Sequence, residues 1–120
     1  MEKQARRFDA KTRRKMKPVR VRPRADREID ALADYIARDD LGAALRFMDA
    51  AWKAFDLIGA QPGIGSLRYA HLPMLEGLRV CPVSGFEKHL VFYIERQVYI
   101  DVIRVLHSAR DLPVALAEGE

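Results

Sequence analysis

A chain of 120 residues and 13.7 kDa is long enough for one hydrophobic core and too short for two, which excludes a separate catalytic domain. Hydrophobic residues make up 49% and charged residues 32%, the balance of a folded domain and not of a disordered or collagen-like chain. The formal charge of +4 is unevenly spread: residues 1–22 hold ten Lys and Arg against Glu2 and Asp9, a charge of +8, and the remainder sums to −4.

No apolar run reaches the roughly 18–20 residues of a membrane span, and the charged N-terminus lacks the apolar stretch of a secretory signal, so the sequence points to the cytoplasm and to no membrane partner. The single cysteine, Cys81, has no partner for an internal disulfide. His71, His89 and His107 do not fall at metal-ligand spacing, and no dinucleotide or phosphate-loop fingerprint occurs. The sequence therefore implies neither a metal nor a cofactor.

Residues 1–16 read as a basic extension ahead of the domain, either a disordered tail or the product of a misassigned start, since Met16 offers a second one. Such an arm attracts nucleic acid or an acidic partner. Val19-Arg20-Val21 then alternates as a short strand before Pro23. Ala25, Ile29, Leu32, Ala33 and Ile36 recur at helical spacing from about Arg24 to Arg38, with Asp26, Arg27, Glu28, Asp30 and Asp34 mostly opposite. Asp39 or Asp40 caps a second helix that runs to about Ala60 and stops at Gln61-Pro62-Gly63.

That second helix carries two apolar stripes. Ala44, Phe47, Ala51, Phe55 and Ile58 form one, and Leu45, Met48 and Trp52 form its neighbour, a wider arc than a single core face needs. Either a partner covers the surplus or the loop from Gly63 to Gly77 folds back over it. Further on, Leu78 to Cys81, His89 to Ile94 and Val98 to Leu106 read as strands, with turns at Ser84-Gly85 and Glu95-Arg96-Gln97. The expected architecture is α+β: an N-terminal strand, a helical hairpin, and a three-stranded antiparallel meander, with the hairpin on one face of a four-stranded sheet.

Strict alternation on the last strand sends Tyr99, Asp101, Ile103 and Val105 one way and Ile100, Val102, Arg104 and Leu106 the other. Arg104 then interrupts an apolar row. It either pairs with Glu87, Glu95 or Asp111 or contacts a phosphate or partner on an uncovered sheet face. His107 at the strand's end is either a structural histidine or a general acid or base with Arg79, Lys88 or Arg110 nearby to stabilise phosphorane charge.

Taken in order, the strand, the helical hairpin, Pro62-Gly63-Ile64-Gly65, Leu75-Glu76-Gly77-Leu78-Arg79, His89-Leu90-Val91-Phe92-Tyr93 and Ile103 through Leu112 resemble the RelE/ParE toxins of type II toxin–antitoxin modules, in the plasmid-stabilisation sense. The resemblance covers about Lys17 to Ala117, leaving 118–120 as a tail. No Lys, His, Tyr or Phe follows His107, and the closing residues sit nearer the ParE branch. That branch implies a toxin that inhibits DNA gyrase without catalysis, is neutralised by a ParD-like antitoxin, and meets operator DNA only through that antitoxin. The resemblance places target binding at Arg79, Arg104, His107 and Arg110 and antitoxin binding at Leu45, Met48 and Trp52. The alternative branch implies a ribosome-dependent mRNA interferase, with His107 as general base and Arg79, Lys88 and Arg104 on phosphate.

Overall fold

The computed structural model describes residues 16–118. The basic extension, Met16 apart, lies outside the described residues. Strand β1 (Val19–Val21) leads into helix α1 (Pro23–Ala37), in which Ala25, Ile29 and Ala33 are buried. Pro23 opens α1, where a missing N–H costs nothing. Helix α1 ends as the N–H groups of Asp39 and Asp40 turn back onto Ile36 O at 3.1 and 3.0 Å. Of the two candidate caps, Asp40 is the one used: its Oδ1 accepts Ala43 N–H at 3.0 Å at the head of α2 (Leu41–Ala60).

A 3-10 turn (Pro62–Ile64) follows α2, and after a loop come β2 (Arg79–Val83), β3 (Phe86–Glu95), β4 (Ile100–His107) and a last short helix, α3 (Leu112–Ala117). The sheet order is β1-β4-β3-β2, with β1 parallel to β4 and the other pairs antiparallel. The expected strand, hairpin and meander are thus present, and no helix among the described residues is long and apolar enough to cross a membrane. Pro82 lies on the outer strand β2, beside a register shift, where its missing donor breaks no ladder. Gly59 is required at the crossing of α2 and the chain's start: a Cβ there would lie 2.9 Å from Lys17 O.

Two apolar layers sandwich the sheet. On one side Phe47, Phe55 and Ile58 of α2 and Ile29 of α1 pack on Cys81, Val83, Val91, Tyr93, Ile100, Val102 and Val105. On the other, Leu112, Ala115 and Leu116 of α3, with Tyr69, Leu72 and Leu75 of the loop, close over Leu78, Val80, Phe92, Ile94, Ile103 and Leu106. The loop therefore covers the far sheet face and not α2, whose Leu41 and Leu45 stay 65% and 64% exposed. Residues 112–117, to which the sequence reading assigns no element of their own, form helix α3. Its signal stands in the sequence: Asp111 Oδ1 accepts Val114 N–H at 3.4 Å and Pro113 sits in the first turn.

Strict alternation fails on β4. Phe92 faces Arg104 but Tyr93 faces Val102, so Ile103 is an extra residue and the strand carries a β-bulge. Val105 consequently joins Ile100 and Val102 under the hairpin, while Ile103 and Leu106 share the opposite layer.

Candidate functional site

The bulge decides what becomes of Arg104. Beyond Val21 the β1 side of β4 has no strand neighbour among the described residues, and Glu28 of α1 takes that place: its Oε1 accepts Val105 N–H at 3.0 Å and its Oε2 accepts Arg104 Nε–H at 2.8 Å. Arg104 Nη1 donates to Ala115 O of α3 at 2.6 Å, and Nη2 lies 2.7 Å from Glu28 Oε2 in ionic contact, off the line of a hydrogen bond. At 3% exposure Arg104 is not on an uncovered face, because α3 and the loop cover it. Its carboxylate partner is Glu28, not Glu87, Glu95 or Asp111. Glu28, expected on the solvent side of α1, is turned inward.

A second ion cluster is built on Asp101, three residues earlier on β4. Asp101, 6% exposed, takes Arg22 through Nε at 3.0 Å and Nη2 at 3.1 Å, and Arg96 through Nε at 3.1 Å and Nη2 at 2.8 Å. Burial alone would raise the carboxyl pKa, but the hydrogen bonds and charges of the two arginines outweigh it and the net shift is downward.

Arg79 serves the Pro62-Gly63-Ile64-Gly65 loop. Its Nη1 donates to Gly65 O at 2.7 Å and Gly63 O at 3.3 Å. Beside it the Tyr93 hydroxyl donates to Pro62 O at 2.7 Å and accepts Gly65 N–H at 2.9 Å, while burial pushes the phenol pKa up. Gly65 is needed for space, not for conformation: its φ is −75°, yet a Cβ would stand 2.7 Å from the Tyr93 hydroxyl.

His107 lies at the far end of β3 and β4, opposite His89 in register. Arg79 faces Tyr93, four residues along β3, which at about 3.4 Å per residue puts the two sites roughly 13 Å apart along the strand. The imidazoles of His89 and His107 meet edge to face with centroids 4.9 Å apart, and His89 also rests against Phe47. Burial, then the nearby His107, lowers the His89 pKa below 6.5, with the Phe86 carbonyl acting against them. His107 Nδ1 accepts Ala109 N–H at 2.9 Å, so in the neutral ring the proton is on Nε2. Ser108 N–H donates to Lys88 O at 2.7 Å and Arg110 N–H to His107 O at 3.1 Å, which brings the exposed Lys88 and Arg110 to the same rim.

The structure thus groups Lys88, His107 and Arg110 and separates them from Arg79 and Arg104. Glu28, Asp101 and Tyr93 organise the molecule although the sequence reading gives none of them a site role; an acidic residue inside an apolar strand was the available signal for Asp101. On α2, Leu45 borders a groove of about 580 Å³ with Ala50, Leu57, Pro82 and Phe86 along its walls. Met48 borders the neighbouring depression against α1, and Trp52 is half-buried, its ring edge-on to Phe55 at 5.3 Å.

An N-terminal strand, a helical hairpin and a bulged meander closed by a short helix define a small α+β toxin fold. The family model described as ParE toxin of type II toxin-antitoxin system, parDE, matches residues 19–112, and the chain belongs to that family. An antitoxin is the partner that membership implies. No curated protein matches the chain.

Proposed function

We propose that this toxin acts by binding DNA gyrase in the cytoplasm, without catalysis of its own, and is neutralised by a ParD-like antitoxin laid over α2. The observation that carries the reading is the family match across residues 19–112. Side-chain placement supports a binding role over phosphodiester cleavage. Arg104 is buried on Glu28, Arg79 is spent on loop carbonyls, and the one lone-pair nitrogen of neutral His107 is engaged by Ala109. Of the three cations that a cleavage reading puts on phosphate, two are thus committed elsewhere and Lys88 alone shares the His107 rim. Of the four residues carried over as target contacts, His107 and Arg110 stand at a rim open to a large partner.

For the antitoxin, Leu45 is the natural anchor, exposed between a mainly apolar groove and a depression that Asp30 and Asp34 also line, with Met48 and Trp52 as half-buried neighbours. Leu45→Asp should weaken antitoxin binding by about 2 kcal/mol or more while the thermal melt is unchanged. Trp52→Ala should weaken it too, at some cost to the fold. Full affinity in Leu45→Asp removes the assignment.

The target is tested by inducing the chain without antitoxin and assaying the same cells for gyrase-linked DNA breaks and for new mRNA ends. Breaks with intact message are expected, and Arg110→Glu should suppress them. Cut message with intact DNA would overturn the reading in favour of an mRNA interferase.

A further inference from the structure

Each helix of the hairpin gives the surface beside Leu45 one complete stripe. Asp30, Ala33, Asp34 and Ala37 stand at i, i+3, i+4 and i+7 on α1, and Leu41, Ala44, Leu45 and Met48 repeat that spacing on α2. Between the stripes lies a depression of about 390 Å³, roughly 10 Å long at the rise of a helix. The short alanine side chains leave it unfilled. Its polar lining is Asp30 and Asp34, one helical turn apart and exposed. Neither pairs with a cation among the described residues, and Arg38, four residues after Asp34, lies over the Tyr35 ring instead, 5.4 Å from its centroid.

Across the Leu45 ridge the sign changes. The neighbouring groove, which Leu45 also lines, carries Arg46 and Lys53 against Asp49, and Lys53 holds Asp49 at 3.1 Å. One side of the ridge therefore bears two uncompensated carboxylates and the other a net positive charge. A partner helix laid on Leu41 and Leu45 brings one of its flanks over Asp30 and Asp34. An apolar flank there would strip water from both carboxylates and return nothing, and an acidic flank would repel them. Basic side chains at i, i+4 spacing match both.

We propose that the segment seated on this depression is an amphipathic helix whose flank toward α1 carries Lys or Arg, so that charge fixes which way round it lies. The proposal rests on the reading of α2 as the antitoxin surface and adds the chemistry of the antitoxin's contacting helix.

The test uses the purified full chain and two fluorescein-labelled model helices of about 18 residues, five turns. Both carry the same leucine stripe, with lysines along one flank of the first and glutamates in the same places on the second. Fluorescence anisotropy at about 50 mM NaCl should show the lysine helix binding roughly tenfold tighter, and the difference should shrink at about 500 mM. The double variant Asp30→Asn, Asp34→Asn should erase the preference with a superimposable thermal melt, whereas Leu45→Asp should weaken both helices alike. Equal affinities in the parent, or a preference that survives in the double variant, would overturn the proposal; if Leu45→Asp still weakens both helices, the antitoxin surface stands without it. Should Leu45→Asp leave both unchanged, that surface falls and the proposal with it. A chain that dimerises, and becomes monomeric in the double variant, would assign the depression to a second copy and overturn the proposal too.

Discussion

The two faces of the sheet are closed by different physics. Under the hairpin, burial is supplied by long helices whose apolar residues recur at helical spacing, and Phe47, Phe55 and Ile58 are fully buried with no polar group among them. On the far face a helix of six residues, Leu112–Ala117, is too short to hold itself by propensity. It is fastened instead by apolar contacts and by a relay that runs from Glu28 through Arg104 to Ala115 O. One face is secured by area and tolerates conservative exchange. The other depends on individual partners, and loss of one leaves its mate stranded.

Glu28→Ala sharpens that contrast most. It strands the Arg104 guanidinium and the Val105 N–H, and the expected loss is about 3–5 kcal/mol in urea denaturation. The double variant Glu28→Leu, Arg104→Met should recover much of it, because neither charge is then buried alone. If the single variant is as stable as the parent, the relay does not fasten α3.

Asp101→Asn comes next, with an expected loss of about 1.5–3 kcal/mol at neutral pH from weakened charged hydrogen bonds. The pKa of Asp101 is depressed in the fold, so its contribution is present above its ordinary value of 3.8 and disappears as pH falls through the lower folded value. The stability gap between parent and variant should therefore hold near neutrality and close below pH 3.8. A gap that is independent of pH would break the assignment.

Gly65→Ala is the smallest of the three, about 1–3 kcal/mol from overpacking against the Tyr93 hydroxyl. In a Tyr93→Phe background the same change should cost less, since the nearest clashing oxygen is gone; equal costs in both backgrounds would place the strain elsewhere.

The same division explains how much could be read from the residues. The hairpin, the Asp40 cap and the order of strands follow from periodicity and turn chemistry, which act over neighbouring positions. The pairing of Glu28 with Arg104 was not legible because it joins residues 76 positions apart and depends on a one-residue bulge, and a bulge at Ile103 reverses every inference drawn from alternation past it. Arg79 is a parallel case. A cation near a glycine-rich loop resembles an anion contact in sequence, whereas here the loop's own carbonyls, from Gly63 and Gly65, take the donors. His107 was read with Arg79, Lys88 or Arg110 nearby; Lys88 and Arg110 share its rim, whereas Arg79 lies opposite Tyr93, four residues along β3. Helix α3 was missed although Asp111 and Pro113 announce it, because six residues offer too short a window for periodicity to register.

Strand β1 has one neighbour in the sheet, β4, and its flanking Arg22 reaches Asp101 across 79 positions. During synthesis at roughly 5–20 residues per second, on the order of 4 to 16 seconds separate the appearance of those two partners. Until β4 emerges β1 lacks its one strand partner, although β2 and β3 can already pair, so the sheet closes only with its last strand. A chain that ends before β4 lacks the one strand that joins β1 to β3, and its N-terminal strand has nothing to pair with.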